Sequence, residues 1–129
     1  MAHLALLVGN VQYDRHQHLN CCADDVAAMQ ELLSSSIKYD AITPLVNLSA
    51  AELKDQIRTL VDAHPVVDEV FFYFTGHGYQ TDGEFFYCAT DFDSARPNET
   101  GLSNDDLHLL LRVRFKIIWH DFMMLRAVA

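Results

Sequence analysis

The stretch FFYFTGHGYQ, residues 71–80, decides how the rest of the chain is read. The run from Glu69 to Thr75, EVFFYFT, is apolar and aromatic with no polar alternation. That pattern belongs to a strand buried on both faces, the usual state of an inner strand in a parallel sheet. It stops at Thr75, and His77 then stands between Gly76 and Gly78. Flanking glycines let the backbone turn sharply and approach a ligand closely. A histidine there suits general acid/base work near neutral pH. Taken alone, Gly-His-Gly fits a structural histidine at least as well.

Outward from this strand, apolar runs alternate with segments of helical period. LALLVG (4–9) reads as a first strand, and AITPLVNL (41–48) as a second, with Pro44 suiting an edge position. FKIIWH (115–120) reads as a fourth. CADDVAAMQELL (22–33) sets Val26, Met29, Leu32 and Leu33 on one expected helical face. SAAELKDQIRTLVDAH (49–64) opens with Ser49 and has Glu52 three residues on, a capping box, with Leu53, Ile57, Leu60 and Val61 as its apolar face. SNDDLHLLLRV (103–113) begins the same way with Ser103 and Asp106. GEFFYCAT (83–90) follows a turn at Asp82-Gly83 as a short extended segment. The order β-α-β-α-β-loop-α-β predicts an α/β domain: a mostly parallel sheet flanked by helices on both faces. The 129 residues suffice for one such domain.

Composition narrows the partners. A formal net charge of −9 argues against nucleic acid, whose phosphates need clustered Lys and Arg, and is compatible with a cationic peptide. No apolar run approaches bilayer length, and the start lacks the basic region of a signal peptide, so no membrane partner and a cytoplasmic setting are expected. Cys21, Cys22 and Cys88 form no disulfide framework and no zinc pair, which fits free thiols. The seven histidines show no metal-ligand spacing.

In parallel sheets, ligands bind outside the carboxyl ends of the strands. The polar stretches after Gly9, after Thr75 and after His120 all fall there, so His77 and Asp121 are expected on one rim.

The series LALLVGNVQY, NCCADDVAAMQELL, DEVFFYFTGHGYQTDGEFFYCATDFD and FKIIWHD resembles the caspase-like cysteine peptidases, and within them the metacaspase, paracaspase and orthocaspase branches. The likeness runs from about Ala5 to Asp121. It implies the three-layer caspase-like fold, here its N-terminal p20-type part with the C-terminal strands missing, and a cysteine–histidine dyad. By this resemblance His77 is the general acid/base and the N–H of Gly78 holds the oxyanion.

The resemblance fails at the nucleophile. A pattern like D-x-C-x-S-G should follow the fourth strand, but aligning Asp121 with its aspartate sets Met123 where cysteine belongs. The distance along the chain from His77 fits the ~50 residues between the caspase pair. A thioether has no ionisable proton and cannot act as the thiolate. Three accounts remain open: an authentic pseudoenzyme, a truncated or frameshifted product, and a fragment whose other half lies elsewhere. The intact earlier motifs favour truncation. Cys22 is a minor candidate for a pocket thiol and Cys88 a lesser one; both suit small apolar packing.

The same resemblance implies an S1 pocket for Arg or Lys, with Asp25 of CADDV and Asp121 as its acids, since two carboxylates suit a guanidinium. Asp24 fits the helix N-terminal dipole better. The implied partner is a peptide or protein with a basic P1 residue. No cofactor is expected. Calcium is the weak alternative, through Asp82, Glu84, Asp105 and Asp106, which turns and a helix cap explain. The fourth strand, lacking further neighbours, is expected to invite dimers or self-association through the sheet edge.

Overall fold

The computed structural model describes residues 2–10, 12–15, 22–64, 67–111, 115–119 and 123–125. Four parallel strands build the main sheet: β1 (Ala2–Gly9), β2 (Ala41–Val46), β3 (Val67–Thr75) and β7 (Phe115–Trp119), in the order β2-β1-β3-β7. The remaining strands, β4 (His77–Thr81), β5 (Glu84–Cys88), β6 (Gly101–Ser103) and β8 (Met123–Leu125), make a second sheet in the order β6-β5-β4-β8. The helices are α1 (Cys22–Ser34), α2 (Ala50–Asp62), the single turn α3 (Pro97–Thr100) and α4 (Asn104–Leu111). The expected α/β class, a mostly parallel sheet flanked by helices on both faces, is what the chain forms.

The aromatic run does what its pattern implies. Val70, Phe72 and Phe74 point into one core with Leu4, Leu6 and Val8 of β1 and with Leu53 and Ile57 of α2 and Leu107 and Leu111 of α4. Phe71 and Tyr73 point the other way, with Ala5, Leu7 and Val26 of α1. The period of two along each strand thus feeds two cores at once. A fully buried side chain of this size contributes about 1.5–3 kcal/mol. β2 stands at an edge with Pro44 exposed.

Helix boundaries follow local chemistry. Ser49 accepts from the Glu52 N–H while Glu52 accepts from the Ser49 N–H, a complete capping box. Ser103 likewise accepts from the Asp106 N–H at 3.0 Å. One expectation for α1 is corrected. Val26, Met29 and Leu33 pack against the sheet, but Leu32 is 64% exposed. At about 100° per residue, Met29 and Leu33 fall within about 60° of Val26, whereas Leu32 lies about 120° away.

The region expected to be mostly loop holds the second sheet. Asp82 and Gly83 both adopt positive φ, the geometry of a two-residue hairpin turn joining β4 to β5. Among the described residues no helix is long and apolar enough to cross a membrane.

Candidate functional site

The main sheet reverses its winding between β1 and β3: β2 lies beyond one and β7 beyond the other. Connections leaving such a switch point part to opposite faces and open a crevice at the carboxyl ends. Here that crevice is flanked by the segment after Gly9 and by Gly76-His77, tied by the Asn10 N–H donating to the Thr75 carbonyl at 3.1 Å. α1 starts from the same rim, because it returns the chain from the end of β1, so Asp25 in its first turn shares that end of the sheet.

His77 stands where the chain leaves the main sheet for the second one. Gly76 makes the passage at φ +155, and a Cβ there would lie 2.6 Å from the Tyr13 hydroxyl and 3.1 Å from Phe74 Cζ. His77 is 1% exposed. Its backbone N–H donates to the Tyr13 hydroxyl at 2.8 Å, and the two rings lie 4.5 Å apart between centroids at 58°.

β7 and β8 pair alongside β3 and β4. Phe74 pairs with Trp119 in the main sheet, and His77 then pairs with Met123 in the second. Met123, the residue that the sequence pattern sets at the nucleophile position, is therefore the direct cross-strand neighbour of His77. Parallel partners of this kind lie about 5 Å apart between Cα atoms. Gly78 sits beside them on an inner strand, opposite Tyr87 of β5 and Met124 of β8.

Of the other candidate residues, Asp25 is half-buried and Asp24 exposed. Cys22 opens α1. Asp121 falls outside the described residues. Cys88 is fully buried, and burial pushes its thiol far above the ordinary range, so it supplies no thiolate at neutral pH. Glu84 and Asp105 line one cleft of about 350 Å³ with Gly83, Phe85, Ser103 and Asn104. Among the described residues no group of three or more His, Cys, Asp or Glu side chains is placed to hold a metal ion.

Two residues at the crevice escaped the sequence reading. Asn10 and Tyr13 were visible only as part of GNVQY, with no role attached. Asn10 Nδ2 donates to the Cys88 carbonyl at 2.9 Å, and Tyr13 is buried against the imidazole. The available signal was an asparagine and an aromatic placed just past the end of a buried strand, on the rim where ligands bind. The role of CATDFD (88–93) was also hidden. Thr90 donates to the Leu48 carbonyl and accepts from the Asp14 N–H, while Asp91 Oδ1 accepts from the first N–H of α2 at 3.0 Å. The segment stitches the loop after β1 to the start of α2.

Comparison with known proteins fits this architecture. The crystal structure of protein GSU0716 from Geobacter sulfurreducens superposes with a TM-score of 0.68 at 20% sequence identity, covering 92% of this chain and 49% of that one. The chain thus spans about half the length of that protein, and the likeness shows the fold. No curated protein matches. The family model described as the caspase domain matches residues 2–123, from the first strand to the cross-strand partner of His77. A parallel sheet between two helical layers, a histidine delivered at its switch point and a match over nearly the whole length lead to one conclusion: this chain belongs to the caspase domain family.

Proposed function

We propose that the chain carries a peptide site of the Arg/Lys-specific type found in the metacaspase and paracaspase branches, and that with Met123 at the nucleophile position it binds basic peptides without cutting them. The observation that supports this is the register: His77 and Met123 are direct partners across β4 and β8. In a cysteine endopeptidase, a thiolate attacks the scissile carbonyl. The histidine then protonates the leaving amine, and water releases the acyl group. In this reading His77 transfers the proton and the Gly78 N–H holds the oxyanion. The missing part is the thiolate, because a methionine thioether carries no proton to lose. Asp25 and Asp121 are assigned to the basic side chain of the peptide, which two carboxylates grip in a bidentate manner.

The test is to restore the sulfur nucleophile. The parent chain is expected to bind an Arg-ended peptide in preference to an Asp-ended one, and to cleave neither. Met123→Cys is expected to cleave the Arg-ended fluorogenic peptide, and the added change His77→Ala to abolish that cleavage. Cleavage by the parent that survives His77→Ala would overturn the proposed dyad. Equal affinity for Arg- and Asp-ended peptides would overturn the basic pocket. A second reading, an active cysteine endopeptidase that draws on residues beyond this chain, is favoured by the half-length coverage of the Geobacter protein. Cysteine-dependent cleavage by a longer product of the same gene would select it.

A further inference from the structure

The GNVQY segment has no part in the chemistry above, yet one of its side chains, Tyr13, reaches the histidine. Past the end of β1 the chain forms a strap over the switch point, pinned along its length. The Asn10 N–H donates to the Thr75 carbonyl at 3.1 Å, and Asn10 Nδ2 to the Cys88 carbonyl at 2.9 Å. The Gln12 N–H donates to Asn47 Oδ1 at 3.2 Å, and the Asp14 N–H to the Thr90 carbonyl at 2.9 Å. Arg15 pairs with Asp93 at 3.9 Å. Asn47 takes a left-handed conformation (φ 54), and its own N–H donates to the Gly9 carbonyl. From this strap Tyr13 reaches into a small aromatic core with Tyr79, Phe86, Cys88 and Phe92, and is 2% exposed.

We infer that Tyr13 is a positioning residue for His77: its hydroxyl fixes the histidine backbone and its ring fixes the imidazole. Both contacts come from one side chain. The hydroxyl accepts from the His77 N–H at 2.8 Å, while its weaker donation to the Cys88 carbonyl, at 3.5 Å, leaves that carbonyl with Asn10 as its better partner. Of these two contacts of the hydroxyl, the one to the histidine is the shorter. The ring lies 4.5 Å from the imidazole and tilted by 58°, a favoured aromatic packing that restricts the rotation of the histidine side chain. The tight passage at Gly76 completes the device, since the absent Cβ leaves room for the hydroxyl to reach the next residue's N–H. A reacting group must be held in a narrow range of orientations to work. The catalytic meaning of this restraint rests on the function proposed above, whereas the restraint itself does not.

Two variants separate the two contacts. Tyr13→Phe keeps the ring and removes the hydroxyl, and Tyr13→Leu removes both. By NMR, Tyr13→Phe is expected to speed exchange of the His77 amide at least about 10-fold beyond the change at Leu6 and Val8. The ring-current shifts of the His77 imidazole protons are expected to persist in Tyr13→Phe and to vanish in Tyr13→Leu. Exchange at His77 that merely follows Leu6 and Val8, or imidazole shifts that are the same in Tyr13→Leu as in the parent, would overturn the inference. In the Met123→Cys background, Tyr13→Phe is expected to lower kcat with KM nearly unchanged; a raised KM with kcat unchanged would also overturn it. An inactive Met123→Cys chain counts against the proposed function, and the exchange and imidazole shifts still decide the role of Tyr13.

Discussion

Gly76→Ala concentrates the demands of the switch point on a single methyl group. The backbone there sits at φ +155, where L-residues are rare, so any side chain costs about 1–3 kcal/mol in conformation alone. The added Cβ would also stand 2.6 Å from the Tyr13 hydroxyl, a distance that real Cβ contacts do not reach, with Phe74 Cζ at 3.1 Å and the Asn10 carbonyl at 3.4 Å closing the other directions. The Tyr13 hydroxyl makes the closest approach, so Tyr13 is the partner that must yield. Its retreat takes the acceptor from the His77 N–H, and a stranded buried donor costs about 1–3 kcal/mol more. The expected loss is about 2–6 kcal/mol, a large share of the about 5–15 kcal/mol that stabilises a typical domain. Gly83→Ala is the control. Gly83 also has positive φ (+80), but nothing lies within 4 Å of its missing Cβ, so the expected cost is the backbone term of about 1–2 kcal/mol. Urea unfolding of the three chains, followed by far-UV circular dichroism, gives both values. If Gly76→Ala costs no more than Gly83→Ala, the contact with Tyr13 is not what excludes a side chain, and the reasoning fails.

Two further outcomes follow from single groups. Burial holds the Cys88 thiol protonated in the folded chain, while the unfolded thiol ionises near pH 9, so this contribution is full below that pH and is lost as pH rises. Between pH 8 and 9.5 it should remove about 0.8 kcal/mol of stability. Cys88→Ala should flatten the urea midpoint by that amount over this range; an unchanged slope would refute it. Ser49→Ala breaks the α2 capping box and should cost about 1 kcal/mol in urea unfolding, whereas Leu32→Ser on the exposed face of α1 should stay within about 0.5 kcal/mol; a reversed order would contradict both assignments.

What could be read from the residues divides along a physical line. The main sheet was legible because its signals are local and redundant. The β3 run has apolar side chains for both faces, Pro44 suits only an edge, and the serines at 49 and 103 each meet an N–H three residues on. Of the second sheet, only the turn at Asp82-Gly83 and the extended segment after it were legible. Its strands span three to five residues, too short for period two to stand out, and Gly101–Ser103 and Met123–Leu125 become strands only through neighbours far along the chain. Leu32 was misplaced for a related reason: over a helix of 13 residues, an apolar residue beside the stripe looks much like one within it.

The site shows the same division, with a consequence for how such chains are read. The candidate role of His77 came from the whole series of motifs, which also set Met123 at the nucleophile position, whereas the contact with Tyr13 was not visible. The tyrosine against it stands 64 positions earlier, and the methionine across from it lies on another strand. A hydroxyl that meets a backbone N–H over such a distance leaves no periodic trace, because only the pairing of β1 with β3 at the switch point brings the two together. The pairing of β4 with β8 then fixes which residue stands opposite the histidine in register. That pairing is made by the backbone and not by sulfur chemistry. On the function proposed above, a seat for a nucleophile next to His77 can therefore persist when the residue in it is methionine, and for that reason one substitution, Met123→Cys, is enough to test whether the remainder of the site is arranged for cleavage.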